Sequence, residues 1–304
     1  MRKDFAKYDD SVAPHIALVF VQLMFGIAPI IGKIALEVFP SYSIVGFRVF
    51  GGAATFYVLQ RRLGSLALEK KKDYLYFAVF ALFGIVMNQL LFFQGLALTT
   101  ATNTSLLAVL IPVMAVLVSA FVGNELLGWR KITGILIAAA GVVYLIDPRN
   151  ASFSSTTTQG DILVLLNSLS YAIYLAISKR LIIKYGALKS IAWLFIMASI
   201  VNVPIGIYFL QDVNLSEVST GAWLALAGII IFPTILAYYW NTWALERVEP
   251  GTVAVYVYMQ PIIGAAAAIL ILKEPFSYRL IVAMILIFAG VFLVTRKKLS
   301  PQSD

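Results

Sequence analysis

The chain contains no cysteine and a single histidine, and only 12% of its residues are charged. Without cysteine there is no disulfide, no thiolate nucleophile and no cysteine-bound metal. With His15 as the sole imidazole, the usual zinc sites cannot be assembled, so neither metal nor cofactor is expected. No glycine-rich phosphate loop ending in Lys and Ser/Thr occurs, which excludes ATP hydrolysis by this chain. The same shortages leave a membrane enzyme without the His, Cys and mid-span acids of a catalytic constellation. No catalytic residue is expected.

What the chain has instead is apolar surface. Of 304 residues, 61% are hydrophobic, more than a soluble globule of this length can hide around one core. A helix needs about 20 apolar residues to cross the hydrocarbon layer, and in lipid such runs must be helical. Apolar runs and breakers give ten spans: 15–37, 42–60, 74–98, 101–122, 128–147, 160–182, 188–210, 219–244, 250–272 and 277–295. The fold class is therefore all-α membrane protein, with the lipid bilayer as its main partner. The first apolar run is too long for a cleavable signal peptide and has no small-residue cleavage site.

The cations fix an expected orientation. With residues 1–14 in the cytoplasm, eighteen Lys and Arg fall on that side and three (Arg149, Lys273 and Arg279) on the other, while Lys33 and Arg48 lie inside spans. One missed span would invert every later loop, so the bias supports both the count and a multi-pass cytoplasmic (inner) membrane protein with both termini cytoplasmic. The net charge of +8 is then a topology signal. No nucleic acid partner is expected, because that needs a basic face on a soluble surface.

The sequence also repeats. "PVMAVLVSAFVGNELLGWRKITGILIAAAGVVYLI" (112–146) and "PIIGAAAAILILKEPFSYRLIVAMILIFAGVFLVT" (261–295) align at an offset of 149, pairing Pro112 with Pro261, Glu125 with Glu274, Arg130 with Arg279 and Gly141 with Gly290. Each half holds five helices, an odd number, so the second copy sits upside down. Such inverted repeats mark secondary transporters with a substrate site near the midplane. The expected organisation is an N-terminal segment 1–14, a first five-helix repeat 15–147, an external linker 148–159, a second repeat 160–296 and a tail 297–304.

The segment "FGIAPIIGKIALEVFPSYSIVGFRVF" (25–50), with Lys33 and Arg48, resembles the opening of an EamA domain, and the two Pro-to-Glu-to-Gly stretches resemble the close of each such domain. The resemblance covers essentially the whole chain and identifies it as a tandem EamA-type member of the drug/metabolite transporter superfamily. It implies two inverted five-helix EamA-like repeats around a central cavity and export of amino acids, related metabolites or drugs. A monomer or weak homodimer is expected.

Several residues are candidates for the site. On helix six, Asn167, Ser170, Tyr171, Tyr174 and Ser178 recur at steps of three and four, a polar face that meets either a wet cavity or neighbouring helices. Helix three offers Asn88 and Phe92, with Gln89 beside them; helix eight offers Tyr239, with Tyr238 and Asn241 adjoining; helix nine offers Tyr256 and Gln260. Lys33 and Arg48, about 8 Å deep at about 1.5 Å per residue, are candidates to attract a carboxylate. Lys33 has the alternatives of snorkelling outward or pairing with Glu37. Pro112 and Pro261 are candidate helix kinks flanking the site, and Glu125 and Glu274 are read as caps of helices five and ten.

All fifteen acids fall in loops or within about two turns of a span's end. A gradient-driven carrier of small zwitterionic or anionic compounds is therefore the simpler expectation. The alternatives are a proton-coupled exporter of drugs or lipophilic cations, which would draw on Glu246, Glu249 or Lys33, and a channel or receptor, which predicts no inverted symmetry.

Overall fold

The computed structural model describes residues 12–121, 128–146, 155–245, 247–248, 256–274 and 277–295. Among these, regular structure is entirely helical, as required of backbone that cannot exchange hydrogen bonds with lipid. The first half holds α1 (Ala13–Leu36), α2 (Ser41–Leu63), α3 (Lys71–Ala81), α4 (Asn88–Leu98), α5 (Ala101–Leu107), α6 (Ile111–Phe121) and α7 (Trp129–Ile146). The second half holds α8 (Thr156–Tyr185), α9 (Ala187–Leu210), α10 (Thr220–Ile230), α11 (Ala237–Leu245), α12 (Met259–Ile271) and α13 (Tyr278–Thr295). Two pairs run on as single rods through a π-helical turn: α3 into α4 through Leu82–Met87, and α10 into α11 through Ile231–Leu236.

Seven helices among the described residues are long and apolar enough to cross a membrane, and Met259–Ile271 and Tyr278–Leu293 are shorter apolar helices. Residues 250–255 of the expected ninth span lie outside the described residues, as do most of the expected linker, most of the N-terminal segment and the tail.

Sequence sets the helix ends. Thr100 caps α5 by accepting from the Asn103 backbone N–H, and Ser219 caps α10 by accepting from that of Ala222. Between α8 and α9 the chain reverses at Gly186, whose φ of 78° favours a residue without Cβ.

The packing comes in exchange-related pairs. Helix α1 lies against α11 and α12, as α8 lies against α4 and α6, while α2 packs on α9 and α7 on α13. The matched glycines sit on the last of these seams. A Cβ on Gly141 would stand 2.8 Å from the Ile287 side chain, and one on Gly290 2.5 Å from both the Ala138 nitrogen and the Gly134 carbonyl oxygen. Close approach of this kind is how apolar helices gain dispersion energy where lipid competes on equal terms.

The exterior is apolar and the interior carries the polar groups. Phe50, Leu136, Ile200, Leu224 and Ile285 are exposed, whereas Gln22, Gln89, Asn167, Ser178 and Asn202 are buried. This inversion of the soluble pattern suits a protein solvated by hydrocarbon.

Gly290→Val should lower the thermal midpoint of the purified protein and cost about 1–3 kcal/mol, the usual penalty of overpacking. Gly128→Ala should leave the midpoint unchanged, because nothing lies within 4 Å of the added carbon.

Candidate functional site

The two π-helical turns occupy equivalent places in the repeat: Leu82 to Ile231 and Met87 to Leu236 are each 149 residues apart. Pro233, lacking an N–H, forbids an ordinary helical bond within the second turn. A π turn disrupts the regular ladder, and such turns gather at functional sites. Here side chains supply donors to backbone carbonyls in and beside the turns. Ser170 Oγ donates to the Phe83 carbonyl at 2.8 Å, and Asn167 Nδ2 to that of Asn88 at 2.7 Å. Thr234 Oγ1 donates to the Ile229 carbonyl at 2.9 Å.

Around these turns lies a cluster drawn from α2, α4, α8 and α11. The Tyr171 and Tyr174 rings stand 5.7 Å apart. The Tyr174 ring rests on Gly84, where a Cβ would come within 2.7 Å of it. Tyr238 approaches both tyrosines and Gln89, and its ring meets Phe195 and Phe25 edge-on at 5.4 and 5.9 Å. Asn241 lies beside Tyr171, and Ser178 beside Tyr174.

Arg48 closes the cluster. It is 6% exposed, donates from Nε to Thr234 Oγ1 at 2.7 Å, and lays its guanidinium over the Phe93 ring at 4.8 Å. Tyr238 lies within its electrostatic reach. Among the described residues no carboxylate pairs with it, and its two terminal nitrogens make no hydrogen bond.

The structure thus brings together Arg48, Tyr171 and Tyr174, with Asn88, Asn167 and Ser170 holding the frame. Asn88 acts through its carbonyl, while Asn167 and Ser170 spend their donors on the neighbouring helix. Phe92 meets Phe93 edge-on at 5.3 Å, and Tyr239 packs against the same core. Other candidates lie apart from the cluster. Tyr256 bonds His15 at 2.9 Å, and Gln260 donates to Gln22 at 2.6 Å, so both face α1. Lys33 is partly buried, and the carboxylate it feels is Glu274 rather than Glu37. Pro112 follows a 3-10 turn, Ala108–Leu110, that interrupts its helix, and Pro261 follows a break at Tyr258.

One capping expectation is corrected. Glu274 accepts from the backbone N–H groups of Ala101 and Thr102 at 2.9 and 3.1 Å and from the Thr102 hydroxyl at 2.5 Å. It therefore caps α5 in the other half, where four N–H groups need partners, rather than α13 after it. Glu125 lies outside the described residues. Sequence reasoning also passed over Asp161, which is 1% exposed and accepts from Thr99 and Asn103. At the far end of α8, Lys184 bridges Asp73 at 2.8 Å and Glu69 at 2.9 Å. Hydrogen bonds from Lys184 to Asp73, Tyr185 and Glu69 hold its ammonium above the ordinary lysine range.

A helical frame, a polar cluster at paired π turns and a repeat related across the chain are what a family comparison has to account for. The profile of the EamA-like transporter family matches residues 13–146 and again residues 158–296. The chain belongs to this family. It is a transporter and not an enzyme. An uncharacterized transporter of Archaeoglobus fulgidus is 27% identical over 93% of this chain and 98% of its own length. A WAT1-related protein of Arabidopsis thaliana is 26% identical over 93% and 85%. The S-adenosylmethionine uptake transporter of Rickettsia prowazekii is 22% identical over 86% of each. A solved crystal structure superposes with a TM-score of 0.65 at 20% identity, covering 93% of this chain and 96% of that one, and so shares the fold.

The Arg48–Thr234 bond generates a test. Thr234→Val keeps the shape and removes the acceptor of a buried cation, and should cost about 1.5–3 kcal/mol, the range for bonds to charged groups. Thr234→Ser should retain most of the wild-type thermal midpoint.

Proposed function

We propose that the chain is a secondary transporter of ten membrane-spanning helices that exports small zwitterionic or anionic metabolites, amino acids among them, by alternating access. The observation that carries this reading is Arg48: a buried guanidinium beside a cluster of tyrosines, with no carboxylate partner and no bond at its terminal nitrogens among the described residues. Its planar fork matches a carboxylate in bidentate fashion. An unpaired charge inside an apolar bundle is costly unless function requires it.

In this account Arg48 holds the substrate carboxylate and Tyr171, Tyr174 and Tyr239 wall the path. Asn88, Phe92, Asn167 and Ser170 fix the helices behind them. Lys33 steers anions at the outer mouth, Tyr256 and Gln260 close the inner end against α1, and Pro112 and Pro261 are where the crossing helices bend. The relative named for S-adenosylmethionine supports a polar metabolite, although uptake is the opposite direction. Both termini lie in the cytoplasm and Ser155 outside.

Uptake of labelled amino acids into proteoliposomes tests the reading. Counterflow should proceed without a pH gradient, and Arg48→Met should slow carboxylated substrates about tenfold relative to their amides, the worth of one charge-assisted bond. Preferred transport of a lipophilic cation would overturn the charge argument. One observation favours a coupled variant: among the described residues, the buried Asp161 is held by the uncharged donors of Thr99 and Asn103 and by no cation. Strict dependence on a proton gradient, lost in Asp161→Asn, would establish that variant instead.

Topology has its own measurement. The chain has no native cysteine, so Ser155→Cys should react with an impermeant maleimide in intact cells and Ser303→Cys should not. The reverse labelling would contradict the orientation.

A further inference from the structure

Gln89 is 2% exposed, and neither its amide oxygen nor its amide nitrogen has a hydrogen-bond partner. A buried primary amide left open at both ends forfeits about 1–3 kcal/mol for each unmet group, and native interiors rarely tolerate it. Its place gives the state a meaning. Gln89 sits two residues after the first π turn and Tyr238 two residues after the second, so the two are equivalent across the repeat. The Tyr238 hydroxyl faces the Gln89 amide and interacts with it without the geometry of a full hydrogen bond, and one turn further along α4 Phe93 carries the Arg48 guanidinium on its face.

Asn202 shares the orphaned state in a different setting. It lies on the seam of α2 and α9, where its backbone carbonyl comes within 3.2 Å of the place a Cβ on Gly46 would occupy. That seam is a helix-packing contact, remote from Arg48 and the tyrosines in the contacts it makes.

We infer that Gln89 is the specificity-determining residue of the site, pairing with a substrate that carries, besides the carboxylate bound by Arg48, an amide-type edge with adjacent N–H and C=O groups. The Gln89 amide offers one acceptor and two donors, the complement of such an edge. Substrates of this class are carboxamide amino acids and ring lactam acids. An analogue without the edge leaves the Gln89 amide unpaired and is disfavoured.

The inference rests on the transport reading above, and the experiment separates the two. The full chain in proteoliposomes is offered two matched pairs, L-glutamine against L-methionine and orotate against benzoate, as competitors for counterflow. The wild type should prefer the amide-bearing member of each pair about tenfold, the worth of one net hydrogen bond. Gln89→Leu should bring both ratios near one. Asn202→Leu should leave them as in the wild type. The thermal midpoint of Gln89→Leu should hold or rise, because it removes an unmet polar group rather than a bond.

Equal use of both members by the wild type, or discrimination surviving in Gln89→Leu, overturns the assignment while transport stands. A fall in the thermal midpoint of Gln89→Leu without a change in ratio makes Gln89 structural and overturns it equally. Failure of the wild type to carry any of the four removes the carboxylate-transport reading, and the assignment with it.

Discussion

The constraint on which this structure depends is that hydrocarbon offers no hydrogen bonds. Every backbone group must find a partner inside the protein. Straight helices meet the demand on their own, but π turns need outside help, and two turns in matched places therefore dictate what must stand beside them. Asn167 and Ser170 on α8 meet the demand for the first, and Thr234 meets it within the second. These polar side chains locate α8 against the rod α3–α4. The same residues that satisfy the backbone thereby bring Tyr171 and Tyr174 into the middle of the bundle.

Electrostatics follows from that frame. Thr234 accepts from Arg48 while donating within its own turn, so one hydroxyl ties a cation on α2 to an irregular backbone on the α10–α11 rod. The cation is held by an uncharged oxygen and an aromatic face, worth about 0.5–2 kcal/mol in such settings, and its outer nitrogens engage none of the described residues. The bundle ends are joined differently. Glu274 and Asp161 hold the α4–α5 turn and the start of α5 at one end, and Lys184, Asp73 and Glu69 tie α8 to the α2–α3 connection at the other. Each junction links one half of the chain to the other.

Much of this was legible in the sequence because membrane helices write their burial plainly. Arg48 stood out as a charge in an apolar run, and Gly141 and Gly290 as a repeat-matched pair that the structure puts on one seam. The polar stripe of helix six was visible by its spacing, but not its division of labour, since a partner carbonyl 79 or 87 residues away leaves no trace in hydropathy. The π turns were invisible for the same reason. Asp161 is hidden because hydropathy starts the sixth span at residue 160, whereas the helix begins at Thr156 and carries the acid more than a turn inside. Sequence order points Glu274 to the nearer helix along the chain, and the structure gives it to the nearer helix in space.

The central claim is that the two halves alternate around the tyrosine and arginine cluster. Distances between spin labels in the cysteine-free protein test it most directly, with one pair at Thr100 and Thr157 and another at Lys70 and Ile183, each spanning the halves at one end of the bundle. When a transported amino acid is added to the protein in lipid, the account predicts that one pair lengthens while the other shortens. Both distances changing in the same sense, or neither changing while counterflow proceeds, would contradict it.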